Sequence, residues 1–395
     1  MQKKALDTHV VHTNQRKNRL QETPTVSPVQ FSNTYTLESP SEMDEILGGE
    51  RTGFTYGRHG NPTVSELEVV LAGMEQGESA KVYASGMAAL QGALLACDLS
   101  SGHVVLASRD LYGATVTLMK DIFGSFGIEI VSVNMSDTNE AVRWLKNSRV
   151  KAVVLESISN PLLRVVDMPA LLKAANQHGV KSIVDNTFAT PYLCNPLNLG
   201  ATMVVHSLTK YLNGHGDSMS GAVVTSEINK AKLTSQQKLT GSVLGPMEAW
   251  LTLRGLKTFV VRFERQLQSA KILAVRLSQH ARIKRVYHPG LTTHPDYEQA
   301  LKLFPKGQGA VLSFEIDGGK DSVFLLMQNL QVVVPATTVG DVYSLLLYPV
   351  MASHRSLTDE ERRSSGITEG LVRLSVGIEH VDDIWNDLNQ ALNRV

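Results

Sequence analysis

The sequence predicts an α/β protein: a large domain on a mostly parallel seven-stranded sheet, followed by a smaller C-terminal α+β domain. Three observations predict it. Between residues 80 and 226, short apolar runs alternate with amphipathic segments, the rhythm of a parallel sheet covered by helices on both faces. A break at Gly245-Pro246 separates that stretch from a long helical segment and a mixed remainder. A length of 395 residues suits two to three domains, or one large domain with a smaller one attached.

In chain order, residues 1–60 form a polar arm rich in Thr, Ser, Pro and Asn, too long and irregular for the inside of a compact domain. Such an arm is expected to wrap something, such as a neighbouring subunit. It ends in the run from Gly53 to Thr63, where Tyr56 and Arg58 present a phenol and a guanidinium on one side of an extended backbone. Taken alone, that run reads equally as a surface loop with an exposed arginine. Thr63 is expected to cap a helix, with Glu66 completing a capping box. The large domain, residues 61–245, then carries candidate strands at 80–84, 103–107, 128–133, 151–155, 180–184, 201–205 and 221–225. Helical stretches at 87–97, 114–126, 139–148 and 168–178 lie between them. Residues 246–395 start with one long helix from Met247 to about His280, whose Arg and Lys side chains are expected on its polar face. Strands at 309–316 and 371–376 and helices at 320–329 and 382–393 complete the smaller domain.

Composition narrows the functions. A hydrophobic fraction of 43% and a charged fraction of 19% describe a soluble globular chain with a large core. Formal net charge is +0, which removes the electrostatic reason to expect nucleic acid or an anionic membrane as a partner. The basic run Arg16-Lys17-Asn18-Arg19 reads as a solvated segment. Cys97 and Cys194 lie in apolar surroundings without CxxC or metal-like spacing, as in a reducing compartment. The first thirty residues lack a signal-peptide core, and no apolar run approaches the ~18 residues of a membrane span. A cytoplasmic location is expected. GxGxxG after a strand, GxxxxGK[ST], HExxH and GxSxG are all missing, and His206 and His215 lack the neighbours of a metal site.

Ligands of such sheets bind outside the carboxyl ends of the strands. Those ends carry Ser85-Gly86-Met87, Tyr112, Glu156 with Asn160, Asp185, and Ser207 with Thr209 and Lys210. Singly, each has an ordinary reading: Lys210 a solvated loop lysine, Asp185 a turn former, Tyr112 a half-buried core aromatic. Together they suit pyridoxal phosphate, whose electron-sink chemistry needs few protein groups. Lys210 is the amine for a Schiff base with its aldehyde. Asp185 can keep the ring nitrogen protonated. The amides at Ser85, Gly86 and Met87 can hold the phosphate at a helix N-terminus, with the Ser207 and Thr209 hydroxyls beside them. Asn160 can donate to the phenolic oxygen and Tyr112 can stack on the ring.

These residues also carry a resemblance. The runs Tyr56–Thr63, Ala84–Met87, Leu111–Gly113, Glu156–Pro161, Val184–Thr187, His206–Tyr211 and Gly370–Glu379 resemble the transsulfuration, or Cys/Met-metabolism, family of pyridoxal-phosphate enzymes. The likeness runs from about residue 5 to 394. It implies the aspartate-aminotransferase-like fold (fold type I) and a homotetramer of two active dimers. It also implies that Tyr56 and Arg58 reach the phosphate of the neighbouring subunit, and that Arg373 holds the substrate α-carboxylate. In its chemistry Lys210 moves the Cα proton and Tyr112 assists the departing group. Within the family the chain looks most like methionine γ-lyases, which eliminate a thiol at Cγ. Cystathionine γ-synthase, homoserine-ester sulfhydrylase and cystathionine γ- or β-lyase are the alternatives. Substrate choice is assigned to Thr338, Ala114 and Tyr343, with Leu239. Ala114 replaces a cysteine of methionine γ-lyases, Leu239 replaces an aspartate, and Tyr343 replaces a glutamate common in γ-lyases and γ-synthases.

Overall fold

The computed structural model describes residues 5–12, 24–355 and 358–395, so the basic run at 16–19 lies outside the described residues. Seven strands form the larger sheet: β1 (Ser79–Tyr83), β2 (Val104–Ser108), β3 (Glu129–Val133), β4 (Val150–Glu156), β5 (Lys181–Asp185), β6 (Met203–Ser207) and β7 (Gly221–Thr225). Their spatial order is β1-β7-β6-β5-β4-β2-β3. β7 runs antiparallel to both neighbours, β1 and β6, and the other pairings are parallel. Strands β1 to β6 therefore end at one edge of the sheet, the edge at which β7 starts.

Alternate side chains enter two different cores, as the two-residue period of a strand requires. Val105, Ala152, Ile183 and Met203 pack on one face with the helix Gly86–Leu95, while Val104, Val153, Val184 and Val204 pack on the other with the helix Met168–Gln177. Burial on both faces makes these strands almost continuously apolar. The smaller sheet has the order β10-β11-β12-β9-β8, built from β8 (Ile283–Tyr287), β9 (Val311–Ile316), β10 (Val334–Pro335), β11 (Leu345–Leu347) and β12 (Leu371–Ser375). The helices Gly319–Asn329, Val381–Leu392 and Phe259–Ser278 contribute Leu326, Leu388 and Leu273 to its core.

Three local expectations are corrected. The helix Pro62–Glu75 is capped by Asn61, whose Oδ1 accepts from the Thr63 and Val64 amides at 2.9 and 3.3 Å. Pro62 already fills the first helical position, so Thr63 lies inside the helix, and Glu66 accepts from the Ser27 hydroxyl instead of closing a capping box. The segment 114–126 starts as a short α-helix, Gly113–Thr117, and continues as a π-turn and a 3₁₀ turn. The long helix after Pro246 is two helices, Pro246–Leu256 and Phe259–Ser278.

The break has a use. Arg262, expected on a polar face, is 5% exposed. Its guanidinium donates to the carbonyls of Gly255, Tyr211 and Asn213 at 2.9, 3.1 and 3.2 Å. It thereby caps the first helix and braces the turn that follows Lys210. Gly214 has φ 74°, and a Cβ there would meet the Arg262 guanidinium at 1.8 Å, so this turn needs glycine. Among the described residues no helix is long and apolar enough to cross a membrane.

Candidate active site

A cavity of about 520 Å³ opens at the edge where β1 to β6 end. Ser85, Gly86, Met87, Tyr112, Asn160, Asp185, Ser207, Thr209, Lys210, Thr338 and Arg373 all line it. The topology explains the first nine, because each directly follows or closes a strand of the larger sheet. Thr338 and Arg373 arrive from the smaller sheet, the latter on β12. The site therefore sits where the two sheets meet.

Lys210 is tied to both. Its Nζ donates to the Thr338 hydroxyl at 2.7 Å. Arg373 donates from Nη2 to the Thr338 carbonyl at 3.0 Å and from Nη1 to Asn160 Oδ1 at 2.9 Å. Arg373 Nε is buried without a partner among the described residues. Burial, with the Arg373 charge adding to it, lowers the Lys210 amine to about 8. Burial also lowers the Arg373 guanidinium to about 10.

The helix Gly86–Leu95 starts at this edge with Ser85 as its cap, the Ser85 hydroxyl accepting from the Ala88 amide at 3.1 Å. A Cβ on Gly86 would stand 2.8 Å from Ser207 Cβ, and one on Gly221 would stand 2.1 Å from the Ser85 carbonyl oxygen. These glycines keep a shallow cradle of backbone amides open at a helix N-terminus. The Ser207 amide donates to the Thr187 hydroxyl, and the Thr209 hydroxyl exchanges hydrogen bonds with the Ser220 backbone. Asp185 closes β5 and accepts from the Thr187 amide at 2.9 Å; burial raises its carboxyl. Glu156 closes β4 in register with Asp185 and accepts from the Tyr112 amide at 2.7 Å. Burial, then the neighbouring Asp185, hold the Glu156 carboxyl well above the usual range.

The structure does not bring every candidate together. Ala114 lines an adjoining groove with Ser353 and Arg355 rather than the main cavity. Tyr343, 58% exposed, is outside both, as are Tyr56, Arg58 and the exposed Leu239. Arg58 donates to the Lys238 carbonyl of its own chain. Sequence reasoning assigned no task to Glu156, and missed Ala352 and Ser353, which line the cavity from an aperiodic segment that offers no pattern to read. His206 lies against Glu75 at 2.6 Å, and His215 against the Asn213 carbonyl. Among the described residues no group of three or more His, Cys, Asp or Glu side chains is arranged to hold a metal ion. Cys97 and Cys194 are buried and free, their thiols pushed up to about 12 by burial.

This donor set fits a phosphorylated pyridine aldehyde. It combines an amine of lowered basicity, a half-buried carboxyl at a strand end, an open amide cradle, and a guanidinium with a spare buried donor. Comparisons with known proteins agree. The Cys/Met metabolism PLP-dependent enzyme family matches residues 7–393. The chain is 41% identical to an L-methionine gamma-lyase of Fusobacterium nucleatum subsp. nucleatum over 399 residues, covering 100% of both. It is 42% identical to the cystathionine beta-lyase MetC of Bacillus subtilis over 370 residues, 93% of this chain and 91% of that one. The crystal structure of cystathionine gamma synthase from Xanthomonas oryzae pv. oryzae in complex with cystathionine superposes with a TM-score of 0.92 at 33% identity, covering 99% of this chain and 98% of that one. The α/β architecture is that of fold-type I enzymes, pyridoxal 5'-phosphate is the cofactor, and the chain belongs to the Cys/Met metabolism PLP-dependent enzyme family.

Proposed function

We propose that the protein is a carbon–sulfur lyase catalysing α,γ-elimination of methionine or a related sulfur amino acid. One water is consumed, and a thiol, ammonia and 2-oxobutanoate are released. The observation that carries this reading is the chain Lys210–Thr338–Arg373–Asn160, which places a base and a carboxylate-binding guanidinium side by side in one cavity. The cofactor, when bound, supplies the electron sink that stabilises charge at the substrate carbons. Lys210 would hold its aldehyde carbon, Asp185 would partner its ring nitrogen, Asn160 Nδ2 would donate to its phenolic oxygen, and Tyr112 would stack on its ring. Its phosphate would be held by the amides of Ser85, Gly86 and Met87 with the hydroxyls of Ser207 and Thr209.

Arg373 binds the substrate α-carboxylate, exchanging its protein carbonyl acceptors for a charged one. Lys210 Nζ takes the Cα proton, and its lowered basicity lets it do so near neutral pH. The Tyr112 hydroxyl donates a proton to the departing sulfur. Ala114 widens the groove beside Tyr112. Tyr343 stands outside the cavity of its own protomer, so the preference for a short thioether over cystathionine's second ammonium group rests on the sequence carrying Tyr343 where many γ-lyases and γ-synthases have a glutamate. Full-length identity to a protein named L-methionine gamma-lyase supports the assignment.

Likeness to a cystathionine γ-synthase favours a second reading, γ-replacement on a homoserine ester; cystathionine γ- or β-lysis follows it. Purified enzyme assayed on methionine, cystathionine, and O-acetyl- and O-succinylhomoserine, with and without sulfide, decides among them. The proposal expects 2-oxobutanoate from methionine without sulfide. Thioether from an ester, with methionine inert, would overturn it.

We also infer a homotetramer of active dimers in the cytoplasm, divided into an arm (1–60), a cofactor-binding domain (61–245) and a C-terminal domain (246–395). Tyr56 and Arg58 would complete the phosphate site of the neighbouring subunit. Their position outside their own cavity supports this. Mixing Arg58→Ala with Lys210→Ala subunits should restore activity that neither homo-oligomer has, and failure to do so would refute the exchange.

A further inference from the structure

Glu156 lines the cavity with no ion-pair partner among the described residues. Its neighbours by charge are carboxyls: Asp185, in register on β5, and Asp110, which precedes the Tyr112 turn. Two adjacent half-buried carboxyls do not both ionise readily, and a neutral carboxyl still accepts through its carbonyl oxygen. Here that acceptor meets the Tyr112 amide at 2.7 Å.

Little else sets the position of Tyr112. The residue caps the helix Gly113–Thr117 without a side-chain hydrogen bond, and its own carbonyl accepts from Thr115 and Val116 at 2.9 and 3.3 Å. Its peptide unit is thus held on the downstream side by the helix and on the upstream side by Glu156. At Gly113 a Cβ would stand 2.9 Å from the Ser353 carbonyl oxygen, so the turn is wedged on its other flank. Tyr112 itself is 41% exposed, and its hydroxyl makes no hydrogen bond among the described residues.

We propose that Glu156 is the positioning residue of Tyr112, its carboxyl oxygen seating the Tyr112 backbone so that the phenol stays over the cavity. The proposal rests on the reading of Tyr112 as the proton donor to the leaving group. It makes a distinction that a general structural role would not: the acceptor matters and the charge does not. Gln carries the same carbonyl, whereas Ala carries none.

The test uses the cofactor-loaded enzyme with Glu156→Ala and Glu156→Gln, each made in the wild-type and the Tyr112→Phe background. In the wild-type background Ala should lower kcat on the order of 10–100-fold through lost orientation, and Gln should rescue most of that loss. In the Tyr112→Phe background the Ala substitution should cost less than about threefold, because coupled residues are not additive. Independently of turnover, hydrogen exchange at the Tyr112 amide should quicken at least about tenfold in the Ala variant and stay slow in the Gln variant. Equal losses in both backgrounds, Gln as poor as Ala, or unchanged Tyr112 exchange would each overturn the assignment. Wild-type turnover in Tyr112→Phe alone would defeat the proton-donor reading, and the exchange measurement would still judge the seat. Should the Ala variant not fold, Glu156→Asp, which withdraws the acceptor by one methylene, takes its place.

Discussion

Raising the pH through 8 should switch on the reaction of Lys210 with the cofactor. Burial and the Arg373 charge lower the Lys210 amine from 10.5 to about 8. The shift is downward for a base, so the neutral amine gains as pH rises through the lowered value. A difference of about 2.5 pH units gives roughly 300 times more neutral amine below pH 8 than an exposed lysine would have. At pH 7 about one tenth of the sites then carry the nucleophile. The assay is stopped-flow mixing of apoenzyme with pyridoxal phosphate, following the visible band from pH 6 to 9.5. The second-order rate should climb about tenfold per pH unit and level off above 8. Arg373→Met should move the midpoint upward while leaving it below 10.5, because burial remains. A wild-type rate still climbing tenfold per unit at pH 9 would refute the lowered basicity. An unmoved midpoint in Arg373→Met would refute the share given to Arg373.

The remaining predictions concern geometry. Tyr112→Phe should lower turnover by about 10²–10⁴-fold if the phenol transfers a proton, and wild-type turnover would mean that the ring only stacks. Gly86→Val should weaken pyridoxal phosphate by at least about tenfold, since its Cβ would stand 2.8 Å from Ser207 Cβ and either the helix start or Ser207 must shift; equilibrium dialysis reads the change, and unaltered affinity would place the phosphate elsewhere. Arg262→Met leaves three carbonyls without their donor and relieves one desolvated charge, a net loss of about 2–4 kcal/mol in urea unfolding. A loss below about 1 kcal/mol would show that water takes over as donor.

The large sheet was legible because burial on both faces leaves a continuous apolar run for each strand. Every expected strand lies within about two residues of an observed one. That the strand ends share one cavity was legible for a topological reason, since parallel strands bring their carboxyl ends to one edge. Where pattern fails, so does the reading. The strands Val334–Pro335 and Leu345–Leu347 are too short to show a period. The helix Glu227–Thr240 buries only Leu233 and Gln237, so its apolar face is too thin to register. The break at residues 257–258 is set by Arg262 reaching back to Gly255, a contact that propensity does not encode. Asn61 beat Thr63 as a cap because Pro62 fixed where the first turn starts. Glu156 was visible at its strand end, yet nothing local says that its oxygen meets an amide 44 residues earlier in the chain. Likewise, no spacing shows that Tyr343 stands outside the cavity of its own protomer.

The reversed strand β7 has a consequence during synthesis. In the larger sheet β1 pairs with β7 alone, and the register Ser79↔Thr225 joins positions about 150 residues apart. At ribosomal rates of about 5–20 residues per second, β1 waits on the order of ten seconds for its partner. Until then Ser79–Tyr83 is an unpaired strand edge, and the Ser85–Gly86 cradle has no Gly221 beside it. A nascent chain halted before residue 221 should therefore engage holdase chaperones through β1, and one released beyond Thr225 should let them go.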